Sequence, residues 1–244
     1  MTENSHHSGW LPNETPPEGK RLALHRMAAA IRQTIDLLIE TDAAEEELLA
    51  AVKGIERFNA RLQAAPHSRP LWGYAETSTS GSPVGFYDSS PLSGQANPLA
   101  PPLVLRMVGD EVIGSVQFGI AYEGPPGHVH GGYVAAAFDE VLGMVQSTAG
   151  NPGMTGRLTV HYRRPTPLNR ELTFRGWVDH VEGRKIYTTA TLHDGQTLCA
   201  ESEGLFISVG QDRFRELPSN RTAASPPEHS RPHKIGEPRW NSTM

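Results

Sequence analysis

Two adjacent carboxylates, Asp139 and Glu140, stand in an otherwise apolar run that opens with Gly131 and Gly132. The small and apolar residues of this run predict a buried helix. A buried carboxylate is costly unless it is hydrogen-bonded or retained for chemistry. At about 100° per residue, Asp139 lies about 20° from the azimuth of Gly132, so the carboxylate and the glycine share one face of the helix.

The predicted start of this helix suits a developing negative charge. The first turn of a helix offers unpaired N–H groups and a partial positive charge. Glycine at this place lets a ligand approach the backbone closely. A helix start of this kind, with Asp139 as a base further along the axis, indicates acyl-transfer chemistry. Glu140 lies about 100° around the helix; we expect it to cap or pair, and it is the second candidate base.

The composition sets limits on the class of protein. With 244 residues, 37% hydrophobic and 20% charged, the chain predicts one sizeable globular domain with appendages. No apolar run approaches the roughly 18 residues that cross a bilayer, so we expect no membrane insertion. A net charge of −5 argues against nucleic acid as a partner. The single cysteine, Cys199, fits a reducing cytoplasm, and the histidines have no metal-ligand spacing, so no metal is expected.

Changes in composition divide the chain into five segments. Apolar residues at helical spacing, broken at Thr41-Asp42, predict a helical hairpin. Its apolar stripes must pack either on the main domain or on a second copy of the chain. The predicted segments are a disordered N-terminus (1–18), the helical hairpin (19–65), a Pro/Gly/Ser-rich loop (66–102), the core domain (103–210) and a flexible C-terminal tail (211–244).

The core domain has an α+β pattern. Alternating residues and tight turns predict two strands before the apolar helix and four after it. Strands joined by short turns are antiparallel, and a single apolar helix among them is buried only if the sheet curls around it. The predicted strands are Leu103–Val108, Val112–Ile120, a strand through Leu158, Val160 and Tyr162, Leu172–Val181, Lys185–His193 and Thr197–Val209.

The run His130-Gly131-Gly132, followed by Asp139 nine positions after the histidine, resembles the hotdog-fold thioesterases. In particular it resembles the phenylacetate-pathway (PaaI-like) branch and the related mammalian acyl-CoA thioesterases, and the resemblance covers roughly residues 100–210. The strand from Leu158 to Pro165 supports it. The resemblance implies a hotdog fold, in which a curled antiparallel sheet surrounds a central helix. It also implies a homodimer or dimer of dimers, with active sites between subunits.

The resemblance further implies roles for individual residues. The Gly131 N–H would polarise the thioester carbonyl. Asp139 of the partner subunit would act as general base or as nucleophile, an alternative that the sequence leaves open. Members of the family also use a serine or threonine after the helix, for which Thr155 is the nearest candidate. His130 would orient the loop and contact substrate. No cofactor is implied, since coenzyme A is part of the substrate.

One position departs from the family pattern. Some relatives carry an asparagine or glutamine shortly before the histidine, to hold the attacking water, but residues 122–128 contain no amide side chain. His128, Glu123 or Ser147 are the available substitutes. We also place Gly132 and His128 among the substrate-binding residues.

Three arginines, Arg157, Arg163 and Arg164, are candidates for the phosphates of coenzyme A. The planar guanidinium fork matches phosphate oxygens. The alternative is that these residues are solvated ends of strands, which is equally compatible with the pattern.

The sequence therefore predicts an acyl-CoA thioesterase that hydrolyses fatty or aryl acyl-CoA, in the cytoplasm and in fatty acid metabolism. The alternative from another class is a non-catalytic protein that binds acyl-CoA or an acyl carrier protein, with Asp139 as a relic. A hotdog hydratase is disfavoured, because the acid that such enzymes place about five residues before the histidine is absent before His130.

Overall fold

A computed structural model describes residues 16–66, 88–149 and 153–209 of the chain. The predictions for the disordered N-terminus and the flexible tail therefore lie almost entirely outside the described residues. The helices are α1 (Gly19–Glu40), α2 (Glu45–Gln63) and α3 (Gly131–Ser147), and a 3-10 turn spans Ile120–Tyr122. The strands are β1 (Val104–Val108), β2 (Glu111–Gln117), β3 (Gly153–Tyr162), β4 (Glu171–Glu182), β5 (Lys185–Asp194) and β6 (Thr197–Ser208).

The six strands form one antiparallel sheet in the order β1-β2-β4-β5-β6-β3. The sheet curls around α3, which packs against β2, β3, β4, β5 and β6. The predicted α+β hotdog fold is confirmed. After α3 the chain crosses to the far edge of the sheet, so that β3 pairs with β6 on one side and is the edge strand on the other.

Tight turns fall where the sequence predicts them. Gly109, Gly183 and Gly195 have φ values of 62°, 57° and 57°. Such left-handed conformations favour glycine, because it has no Cβ. These turns reverse the chain between β1 and β2, β4 and β5, and β5 and β6, which places sequential strands side by side.

The core forms where α3 lies on the concave face of the sheet. Phe138 of α3 and Phe174 of β4 meet edge to face, with ring centroids 5.0 Å apart. At Gly176 of β4, a Cβ would stand only 2.8 Å from Cγ2 of Val145. The close approach of helix and sheet therefore requires a glycine at position 176, and this packing fixes α3 along the sheet.

Residues 88–102, which we call the strap, are the described part of the predicted loop. Asp88 accepts hydrogen bonds from Arg21 Nε at 2.7 Å and lies 2.9 Å from His25 Nε2, both on α1. Arg32 Nη1 donates to the Asn97 carbonyl at 2.8 Å. The strap thus ties α1 to the domain by polar contacts, since α1 itself buries only Ala28.

The helical prediction for residues 19–65 is correct in secondary structure, with the break between α1 and α2 near Thr41. The two helices differ in their packing. None of the residues of α2 is buried. No described helix combines the length and the apolar character that crossing a bilayer requires.

Candidate active site

The start of α3 leaves one backbone donor uncommitted. His130 is the N-cap residue, and its Nδ1 accepts a hydrogen bond from the Gly132 N–H at 3.0 Å. The His130 carbonyl accepts from the Tyr133 N–H at 2.9 Å. Within the described part of the chain, the Gly131 N–H has no acceptor. Because the N–H groups of Gly132 and Tyr133 already have acceptors, the Gly131 N–H is the one of the three that is open to a ligand oxygen.

Tyr162, at the end of β3, covers the opening glycine. Its hydroxyl donates to the Gly131 carbonyl at 2.7 Å, and the side chain remains 53% exposed. A Cβ on Gly131 would lie 3.4 Å from the Tyr162 hydroxyl oxygen, an ordinary contact. Tyr162 was not predictable as a site residue, because strand alternation carries no information about a contact with a helix start 31 residues away.

Two predicted site residues meet at the middle of α3. The Thr155 hydroxyl donates to Asp139 Oδ1 at 2.9 Å. Thr155 is exposed on the edge strand β3, and Asp139 is half-buried beside it. Among the described residues Asp139 forms no ion pair. The carboxylate is therefore oriented by a neutral hydroxyl and remains open to water at the sheet edge.

Gly131 and Asp139 are too far apart to serve one reacting centre within one chain. They are eight positions apart on α3, which corresponds to about 12 Å along the axis at 1.5 Å per residue. A general base acts within hydrogen-bond reach, about 3 Å, or through one water. Within one chain, Asp139 therefore cannot act on a carbonyl that is held at Gly131.

Glu140 has a different task from its neighbour Asp139. Its Oε1 accepts hydrogen bonds from Ser90 at 2.7 Å and from Ser93 at 2.5 Å, both on the strap. These serines are 2% and 7% exposed. From the sequence, Glu140 was the second candidate base. In the structure its carboxylate instead binds the two serines and so holds the strap against α3.

A groove of about 380 Å³ opens beside the helix start. It brings together several predicted residues with Tyr162, and its polar lining comprises His128, Gly131, Tyr162, Arg163, Arg164 and Thr166. The imidazole of His128 is held by its Nδ1, which lies 2.9 Å from the Pro126 carbonyl. The groove therefore has mainly apolar walls, with a few polar and cationic groups beside the free N–H.

The three predicted arginines separate in the structure. Arg163 Nε donates to Glu201 Oε1 at 2.8 Å, so its charge is already paired. Arg164 lines the groove, is exposed, and has no side-chain partner among the described residues. Arg157 lies next to the bulge in β3, outside the groove. Arg164 is thus the arginine that the groove offers to an anionic ligand.

The candidates for the missing amide are mostly occupied. Glu123 Oε1 accepts from the Gly127 N–H at 2.6 Å, and Ser147 donates to the Gly143 carbonyl at 2.9 Å. Both contacts stabilise local turns. Within residues 16–66, 88–149 and 153–209, no group of three or more His, Cys, Asp or Glu side chains is arranged to hold a metal ion.

Comparison with known protein families and solved structures agrees with this fold and this helix start. The family described as thioesterase superfamily matches residues 126–201. A crystal structure of a thioesterase superfamily protein superposes with a TM-score of 0.69 and 35% identity, covering 80% of this chain and 94% of that chain. The chain therefore belongs to the thioesterase superfamily.

Particular relatives carry a more specific name. The chain is 37% identical over 89 residues to acyl-coenzyme A thioesterase THEM4 of Xenopus laevis, covering 36% of this chain and 40% of the relative. It is 33% identical over 95 residues to acyl-coenzyme A thioesterase THEM5 of Homo sapiens, covering 38% of each. The alignments thus span about two fifths of the length of these relatives.

Proposed function

We propose that the protein is an acyl-CoA thioesterase that hydrolyses fatty or aryl acyl-CoA to the free acid and coenzyme A. The observation that carries the proposal is the uncommitted Gly131 N–H at the start of a buried helix, beside a groove that is lined in part by His128 and Arg164. The names of the relatives support this choice over the span that they share with the chain.

The Gly131 N–H is the proposed oxyanion donor. The thioester oxygen binds there and gains negative charge as the carbonyl is attacked. A preorganised backbone donor and the partial positive charge of the helix start stabilise that charge. His130 is a positioning residue, since its Nδ1 holds the Gly132 N–H and so fixes the first turn.

Asp139 of the partner subunit supplies the carboxylate. As a general base it removes a proton from water, and the hydroxide adds to the carbonyl carbon. The tetrahedral intermediate then expels the thiolate of coenzyme A. As a nucleophile it displaces that thiolate directly and forms an acyl–carboxylate anhydride, which water then hydrolyses. In both routes the hydroxyl of Thr155 orients the carboxylate.

The edge strand β3 is the proposed seam between the two copies. It carries Thr155 and Tyr162, and its outer backbone groups have no partner strand among those described. An exposed edge of this kind pairs readily with another strand. Pairing β3 with β3 of a second copy brings the middle of one α3 near the start of the other, as the 12 Å separation requires.

The groove beside Gly131 is the proposed path of coenzyme A. Once the thioester lies at the helix start, the rest of coenzyme A must extend out of the site through an open groove. Arg164 and His128 line that groove, and in this proposal they bind phosphate oxygens of coenzyme A. Gly132, at the same turn, allows close approach of the substrate. No additional cofactor is needed, since water, a carboxylate and an oxyanion donor complete the reaction.

Thiol release from a panel of acyl-CoAs tests the proposal. We expect the wild-type protein to hydrolyse at least one fatty or aryl acyl-CoA. The Asp139→Ala variant should lose turnover by about 100-fold or more. Binding of coenzyme A, measured by calorimetry, should persist in that variant. Binding without turnover by the wild-type protein would instead identify a non-catalytic acyl-CoA protein.

A further inference from the structure

Helix α2 presents an uncovered apolar face. Leu49, 55% exposed, lies about 120° around the helix from Ile55, but the other exposed large apolar residues share one side: they are exposed by 37% at Leu48, 39% at Val52, 49% at Ile55 and 47% at Leu62. Together with Phe58 these residues form the α2 stripe, all within about 60° of the azimuth of Ile55 at 100° per residue. A contiguous apolar stripe that the fold leaves exposed marks an interaction surface.

The order of residues in the α2 stripe is self-complementary. Leu48 and Leu62 lie seven positions on either side of Ile55, and Val52 and Phe58 lie three positions on either side. When two copies of α2 run antiparallel, with a two-fold axis at Ile55, Leu48 lies level with the partner subunit's Leu62. In the same way, Val52 lies level with the partner subunit's Phe58. A two-fold interface between identical chains requires this property, because the same surface must fit itself.

The charges beside the stripe select the antiparallel orientation. Glu47, in the first turn of α2, and Arg61, in the last turn, lie on the same flank, at about 80° and 120° from Ile55. Antiparallel pairing brings Glu47 within about 3 Å along the axis of the partner subunit's Arg61. Parallel pairing would leave Glu47 about 21 Å along the axis from the partner subunit's Arg61, so the two charges could not meet.

We propose that α2 binds α2 of a second copy of the chain as an antiparallel pair centred on Ile55. The occupant is a second copy because both the apolar order and the flanking charges match the same helix reversed. The proposal does not depend on the thioester reaction, since it uses no residue of the candidate active site.

Cysteine cross-linking tests the pairing. The chain has one cysteine, Cys199, which is buried and does not interfere. After mild oxidation, we expect the Ile55→Cys variant to run mainly as a disulfide-linked dimer on non-reducing gels. The Lys53→Cys variant, about 160° around the helix, should remain unlinked. Thermal unfolding of each variant confirms that it is folded.

A second pair of variants reads the orientation. In the antiparallel pair, the two copies of residue 48 are about 21 Å apart, beyond the roughly 7 Å between Cα atoms that a disulfide spans. The Leu48→Cys variant alone should therefore stay unlinked, whereas its mixture with Leu62→Cys should form mixed dimers. This mixture also tests the pairing if Ile55→Cys fails to fold.

Three outcomes overturn the proposal. Absence of linked dimers from both Ile55→Cys and the mixture shows that another surface covers α2. Self-linking of Leu48→Cys as efficiently as Ile55→Cys shows a parallel pair. Equal linking of Lys53→Cys shows random collision rather than a defined interface.

Discussion

Thr155, on the edge strand β3, donates its hydroxyl hydrogen to Asp139, at the middle of α3, over 2.9 Å. This bond joins the central helix to the edge of the sheet and leaves the second carboxylate oxygen available to water. A carboxylate with one oxygen held in place and the other accessible to water is suited to act as a base across a subunit interface.

The Thr155→Val variant keeps the shape of the side chain but removes the hydroxyl. We expect kcat to fall by about 10-fold with little change in KM, because a bond to a charged group is worth about 1.5–3 kcal/mol and positions the base. Thr155→Ser should restore most of kcat. Thr159→Val is the control on the same strand, and an equal loss there would point to a general effect on β3.

Replacing Gly131 by proline removes the proposed oxyanion donor with little disturbance. His130 has ψ of 130°, which the residue before a proline favours, and proline is well tolerated at the first helical position. We expect Gly131→Pro to lower kcat by about 10²–10³-fold. Gly131→Ala retains the N–H and should keep most of the activity. If Gly131→Pro were as active as Gly131→Ala, the Gly131 N–H would not be the oxyanion donor.

Loss of the Glu140 carboxylate should weaken the attachment of the strap to α3 and destabilise the protein. In Glu140→Ala, the buried hydroxyls of Ser90 and Ser93 lose their shared acceptor, at about 1–3 kcal/mol for each unsatisfied group. Chemical denaturation should show a lower free energy of unfolding. The triple variant with both serines changed to alanine should be less destabilised than the sum of its parts. Strict additivity would mean that these three residues do not interact.

Much of the fold is predictable from the sequence, because strands and tight turns leave signals among residues that are close together in the chain. Alternation defined five of the six strands to within about three residues, and turns at Gly109, Gly183 and Gly195 set their antiparallel order. The position of β3 at the far edge was not predictable, since it depends on pairing with β6 about 40 residues later.

The candidate site divides in the same way. The histidine–glycine run and its spacing to Asp139 are local signals, so they could be read from the chain. The role of Glu140 depends on Ser90 and Ser93, 50 and 47 residues away. The contact of Tyr162 with Gly131 depends on the register of β3. Periodicity predicted α2 as a helix but not what covers its apolar stripe.

Arg164 should discriminate between coenzyme A and shorter thiols. Because its guanidinium lines the groove without a described partner, Arg164→Ala should raise KM for acyl-CoA by about 10-fold, the loss of one charge-assisted contact. KM for the matching acyl-pantetheine, which lacks the nucleotide, should not change. Arg157→Ala is the control outside the groove. A similar rise in KM for both substrates would assign Arg164 to the fold rather than to phosphate binding.

Activity regained by mixing two inactive variants tests the shared site most directly. Co-expressed Asp139→Ala and Gly131→Pro chains form mixed dimers, in which one site combines an intact Gly131 with an intact Asp139. We expect recovery to about a quarter of wild-type turnover, since about half of the dimers are mixed and each mixed dimer has one complete site of two. Turnover no higher than that of either variant alone, in a sample shown to contain mixed dimers, would contradict it.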